Sequence, residues 1–171
     1  MNLIYSKKIV FLYWGVFIAL FLIIDITLGY LDLKPMKKIY IEIRTQHHYY
    51  HHDLKPCKSS YYEEMGSGYG YPLTTNSLGF KDSSMRQVPL KVDKKRILFI
   101  GDSFTEGVLV PYELTFVGQI ATYRPDIDIL NAGVTSYSPL IYYLKVDYLL
   151  NKVGLKFDEL FVFIDISDIQ Y

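Results

Sequence analysis

From Ile9 to Ile24 the chain reads IVFLYWGVFIALFLII without a charge, and apolar character resumes after Asp25 through Ile26, Leu28, Tyr30 and Leu31. At about 1.5 Å per residue, a helix over 9–31 is about 34 Å long, enough to cross a hydrocarbon core of about 30 Å with some tilt. The reading is a basic tail over 1–8, carrying Lys7 and Lys8, followed by a transmembrane anchor over 9–31. A removable signal peptide starts the same way, but no small-x-small cleavage pattern follows, because Ile26, Leu28 and Tyr30 interleave Asp25, Thr27 and Gly29. Lys7 and Lys8 on one side face Lys34, Lys37 and Lys38 on the other, so the lysine count does not fix the topology. A short basic tail before a first span usually stays cytoplasmic. The expectation is therefore a single-pass membrane protein whose main domain is extracytoplasmic, on the periplasmic side in a bacterium.

Beyond the anchor the chain is long enough for one folded domain. Its 18 basic and 18 acidic side chains cancel, which leaves no field to hold a polyanion and argues against a nucleic-acid partner. A lone cysteine, Cys57, excludes an internal disulfide framework and any thiolate metal cluster.

Residues 32–95 read as a His/Tyr-rich connecting segment and lead-in. All four histidines lie in HHYYHH, His47 to His52. On a helix, His47 with His51 and His48 with His52 would stand one turn apart, a spacing able to hold a metal ion. On a strand they alternate faces and do not converge. Tyrosine-rich surroundings and Pro56 favour extended chain, and no acidic or thiol ligand completes a site, so no metal and no cofactor is expected. GSGYG, 66–70, marks a flexible turn; Thr75 to Asp82 (TNSLGFKD) is a polar turn with Gly79 free to take positive φ; 83–95 is a polar linker.

The core, 96–171, follows strand–loop–helix order. Arg96 to Ile100 (RILFI) is a continuous apolar run suited to a strand buried on both faces, and it ends on Gly101-Asp102-Ser103. Thr115 caps an expected helix Phe116–Tyr123 that Arg124-Pro125 stops. Ile127 to Leu130 is a second strand ending on Asn131-Ala132-Gly133. Pro139 opens a helix to about Val153, capped by Gly154, and Glu159 to Ile164 is a third strand ending on Asp165-Ile166-Ser167-Asp168. Right-handed crossovers lay such strands in one parallel sheet, an α/β fold, and ligands of open α/β sheets bind at the carboxyl ends of the strands. One cleft can then collect a hydroxyl, an amide and backbone N–H groups, the parts of an acyl-transfer site.

G-D-S-F-T-E-G is not a P-loop, a dinucleotide turn or a Gly-x-Ser-x-Gly elbow. What survives is a serine just beyond a buried strand: either a nucleophile, or part of a capped turn in which Asp102 accepts backbone N–H bonds.

ILFIGDSFTEG, Ile97 to Gly107, resembles the first block of the SGNH (GDSL-type) hydrolase family. Asn131 to Ser138 (NAGVTSYS) resembles its second block and Asp165 to Asp168 its third, while TNSLGFKD is similar to the lead-in of membrane-anchored members; together the likeness spans about residues 72–171. The resemblance implies a flavodoxin-like, three-layer α/β/α parallel sheet. It implies Ser103 as the nucleophile, backbone or side-chain oxyanion donors at Ser103, Ser136 and Ser167, and supporting roles for Asp102, Asn131, Gly133 and Asp168. Ser136 replaces the usual glycine, and Ser167 the usual asparagine. The resemblance also implies an Asp-x-x-His block that supplies the general base after the third strand, which makes these 171 residues the first part of a longer enzyme. Its substrates would be esters such as O-acyl groups on cell-surface glycans. The competing reading is a non-catalytic anchored module that binds glycan or a partner through its 17 tyrosines.

Overall fold

The computed structural model describes residues 3–32, 43–63 and 70–169, with the backbone alone at 3–6, 31–32, 62–63, 167 and 169. Lys34, Lys37 and Lys38 of the topology argument, and 66–69 of the GSGYG turn, lie outside them. The chain divides into two compact units, Met1–Lys38 and Ile39–Tyr171.

The first unit is helix α1, Leu3–Asp32. It starts before the expected span because the residues preceding Ile9 include neither glycine nor proline to stop it. Every side chain from Lys7 to Tyr30 is exposed, and this stretch is long and apolar enough to cross a membrane. The Thr27 hydroxyl donates back to the Ile23 carbonyl at 2.6 Å, which satisfies it within the helix.

The second unit is mixed α/β. Its sheet holds β5 (Arg96–Ile100), β6 (Asp128–Asn131) and β7 (Glu159–Val162) in the order β6-β5-β7, all parallel. Side-chain alternation along β5 divides the core into two faces. Ile97 and Phe99 pack with Val117 of helix α3 (Phe116–Tyr123) and with Ile127 and Ile129. Leu98 packs on the opposite side with Phe80, Leu130, Leu149 and Leu155, and Ile100 with Tyr137 and with Tyr142 of helix α4 (Pro139–Tyr148). Helices therefore cover both faces, and every residue of β5 is buried.

Local signals account for the helix ends. Thr115 Oγ1 accepts the Gly118 N–H at 2.9 Å, and α3 ends where Arg124-Pro125 begins. Pro139 opens α4, which passes into a π turn, Leu149–Val153, and stops at Gly154 with φ 78°. The third strand is shorter than the expected Glu159–Ile164 and is not buried: Leu160, Phe161 and Val162 are 38%, 45% and 46% exposed. The reason is position. β7 forms one edge of the sheet, whereas the opposite edge, β6, is met by an antiparallel bridge from Lys81 to Asn131.

The residues before the sheet do more than connect. They form two hairpins, β1 (Arg44–His47) with β2 (His51–Leu54) and β3 (Ser59–Glu63) with β4 (Gly70–Thr74). Ile43, Tyr50, Leu54 and Leu73 join the same buried cluster as Ile100 and Tyr142. Asp53 of β2 is buried with Lys145 of α4: Lys145 Nζ donates to Asp53 Oδ1 at 2.8 Å and to the Tyr137 hydroxyl at 3.2 Å, and the Tyr50 hydroxyl donates to Asp53 Oδ2. Lys81, also buried, donates to the Gly107 and Val110 carbonyls, each at 2.6 Å, and burial pulls its pKa down to about 8. Gly79 takes φ 77° against the Leu54 carbonyl, as the polar turn requires.

Removing one member of the Asp53–Lys145 pair leaves the other buried and unpaired. Asp53→Leu is expected to cost about 3–5 kcal/mol of stability, most of it regained in Asp53→Leu/Lys145→Met. Denaturant unfolding of the detergent-solubilised chain checks this; equal losses in the single and double variants would contradict it.

Candidate active site

Each sheet strand delivers a loop to the carboxyl edge, and hydrogen bonds join the three loops. Ala132 N–H donates to the Phe99 carbonyl at 2.8 Å, Val134 N–H to Gly101 at 3.1 Å, and Phe163 N–H to Ile100 at 2.9 Å. The loops that follow the three strands thus all start around the end of the central strand, β5.

After β5, Asp102 caps a one-turn helix, α2 (Ser103–Glu106), its Oδ1 accepting the Phe104 N–H at 2.9 Å. The capped turn and the serine are therefore both present: Asp102 does the capping, and Ser103, the first helical residue, is half-buried. Its hydroxyl has no hydrogen-bond partner among the described residues.

After β6, Asn131 Nδ2 donates to the Thr105 carbonyl at 2.8 Å, and its Oδ1 accepts the Gly133 N–H at 3.1 Å. Asn131 and Gly133 thus hold the second loop against α2. A Cβ at Gly133 would sit 2.7 Å from Thr105 Cβ and 2.8 Å from the Glu106 nitrogen, so the contact needs glycine. Ser136 is exposed and takes φ 64°, a left-handed backbone consistent with a position where glycine is more comfortable.

After β7, the 3₁₀ turn Ile166–Ile169 carries Ser167, whose side chain lies outside the described part. Asp168 Oδ2 accepts the Tyr142 hydroxyl at 2.9 Å and the Asp165 N–H at 3.2 Å. Asp165 hydrogen-bonds the Asp102 carboxyl across the sheet edge. Burial above all, and then this neighbouring carboxyl, raise the Asp102 pKa above its ordinary value.

Several residues given no part in the site by the sequence organise this edge. Glu106, 1% exposed, accepts Arg44 Nη2 at 2.8 and 3.0 Å, and its Oε2 accepts the Thr135 N–H at 2.6 Å and the Thr135 hydroxyl at 2.9 Å. Arg44 belongs to β1, so the first hairpin reaches the loop that bears Ser136. His52 reaches it too, with Nε2 2.8 Å from the Thr135 carbonyl oxygen. The one available signal was Glu106 itself, an acid three positions after the serine.

The rings of His47 and His48 stack at 5.0 Å, and among the described residues no group of three or more His, Cys, Asp or Glu could hold a metal ion. Burial lowers the His47 pKa, favouring the neutral ring.

No family model matches this chain, and neither a curated protein nor a solved structure matches it.

With its pKa raised, Asp102 holds its proton more tightly in the folded state than in the unfolded chain. Its contribution to stability is therefore present at low pH and lost as pH rises from the ordinary carboxylate range through the raised value. Asp102→Asn keeps the cap acceptor and a donor toward Asp165 but does not titrate. Its melting temperature is expected to gain on that of the wild type as pH increases from about 4 to 7. A gap independent of pH would refute the assignment.

Proposed function

We propose that this chain belongs to a membrane-anchored SGNH-type serine hydrolase or acyltransferase, with Ser103 as nucleophile and an ester, such as an O-acyl group on a cell-surface glycan, as substrate. The observation that carries the reading is the placement of a half-buried serine hydroxyl, without a partner among the described residues, at the carboxyl end of the central parallel strand, between two loops hydrogen-bonded to that same strand end. On this reading α1 is the anchor, the amino terminus is cytoplasmic and residues after the helix are extracytoplasmic.

In the reaction, Ser103 Oγ bonds to the ester carbonyl carbon while its proton passes to a base, and negative charge collects on the carbonyl oxygen. The Ser103 and Ser136 N–H groups are the proposed donors to that oxygen, with Ser167 as a third. Collapse breaks the bond to the alcohol, which leaves with the proton. Water or a sugar hydroxyl then attacks the acyl-serine carbonyl and releases the enzyme. Asp102 shapes the turn, and Asn131, Gly133 and Asp168 hold the flanking loops. A neutral serine is a weak nucleophile alone, so the reaction needs a base for the Ser103 proton, which the family resemblance assigns to an Asp-x-x-His segment.

A fluorophosphonate probe tests this. A longer gene product carrying that segment is expected to be labelled at Ser103, about 100- to 10,000-fold faster than the 171-residue chain, with labelling abolished by Ser103→Ala. Absence of labelling in a folded longer product, or a gene with no such segment, overturns the enzyme; glycan binding that survives Ser103→Ala would then favour the tyrosine-rich binding module.

A further inference from the structure

The histidine run finds its use at the second loop. His52 Nε2 faces the Thr135 carbonyl oxygen, which can only accept, so Nε2 carries the proton. On the other side of the ring, His52 Nδ1 lies 2.7 Å from His51 Nδ1. Tyr137, just past the same loop, donates its hydroxyl to the His52 carbonyl at 2.7 Å, so strand and loop hold each other from both ends.

The Thr135 carbonyl and the Ser136 N–H belong to one peptide unit. The bond is trans, and in a trans peptide the two groups point in opposite directions. Fixing the carbonyl on His52 therefore fixes the Ser136 N–H on the far side, turned away from the hairpin, where it has no acceptor among the described residues. The other end of Thr135 is equally constrained: Glu106 takes its N–H and hydroxyl, and Arg44 Nη2 reaches that hydroxyl at 3.2 Å. Against these ties stands the backbone at Ser136. A φ of 64° is disfavoured for any residue with a side chain, and rotating the peptide would relieve it by swinging the carbonyl off His52.

We propose that His52 is a positioning residue for the oxyanion pocket: through the Thr135 carbonyl it holds the Thr135–Ser136 peptide in the orientation that offers the Ser136 N–H to substrate, while Glu106 and Arg44 fix the Thr135 end. The inference rests on Ser136 acting as an oxyanion donor in the function proposed above. It gives the upstream hairpin a part in the site that is neither metal binding nor base catalysis.

The test compares His52→Phe, which keeps a ring beside Tyr137 but loses the donor, with His52→Gln, which keeps an N–H donor but has no basic nitrogen. In the isotope-labelled full chain in detergent micelles, the Ser136 amide resonance is expected to shift and broaden by exchange in His52→Phe and to return to its wild-type position in His52→Gln. In a form labelled at Ser103, His52→Phe slows labelling by about 100- to 1000-fold, the loss expected for one oxyanion donor, and His52→Gln restores most of it. If His52→Phe does not fold, His52→Leu replaces it, with the same expected movement of the Ser136 amide and the same reading of an unmoved one. An unmoved Ser136 amide in His52→Phe overturns the proposal whatever the labelling shows. Labelling lost equally in His52→Gln and His52→Phe, with the amide held in His52→Gln, also overturns it by making His52 the base. An amide that moves and is rescued, in a chain that no probe labels, supports the clamp and sinks only the hydrolase reading.

Discussion

β5 is the element on which the rest of the second unit depends. It is buried on both faces and paired in parallel on both sides, so its backbone groups are satisfied only if β6 and β7 arrive in register. The register is anchored at its amino end by polar contacts. Arg96 donates from Nε to Asp128 at 2.7 Å, its own N–H goes to Asp158 at 2.7 Å, and Nη1 reaches the Lys156 carbonyl at 3.1 Å. A buried arginine at the first position of the strand thus binds the residues that open both neighbours. Slippage of either strand would strand its charge, and the carboxyl ends, where Asp102, Asn131 and Asp165 emerge, would no longer meet.

The same logic joins the earlier hairpins to the sheet. Asp53 and Lys145 are 92 residues apart and nearly or fully hidden from water, and neither charge is tolerable there without the other. Tyr50 and Tyr137 supply the remaining hydrogen bonds and ring faces around them, with Lys145 Nζ 5.7 and 5.0 Å from the two ring centroids. Polar groups here specify which segment lies against which, while the apolar residues beside them, Leu54, Leu73 and Ile100, supply the burial.

What was legible in the sequence follows from this division. The helix Phe116–Tyr123, its Thr115 cap, the Pro139 start and the Gly154 stop are written in neighbouring residues, and the structure places them where local chemistry puts them. The apolar run of β5 announced a doubly covered strand, and from it followed a shared edge for Ser103, Asn131 and Asp168. ELFVFI carried the same signal but became a half-exposed edge, because a run of apolar residues reports affinity for a core and not whether anything covers it. The histidine segment was read as a connector because its partners, Thr135 and Tyr137, lie more than 80 residues downstream. Contacts such as Glu106 with Thr135 leave no periodic trace in a single sequence, so the loops of the candidate site could be located but not the groups that tie them.

The two borders of the sheet are unequal. The bridge between Lys81 and Asn131 lies on the β6 border, while among the described residues β7 pairs on one side only, with apolar side chains on both faces. A parallel strand added beside β7 would bring its carboxyl-end loop next to the Asp165–Asp168 turn, on the side of the central strand away from Ser136. Chemistry gained in that manner approaches the serine from a single flank, leaving the opposite flank as the hairpin and second loop already define it.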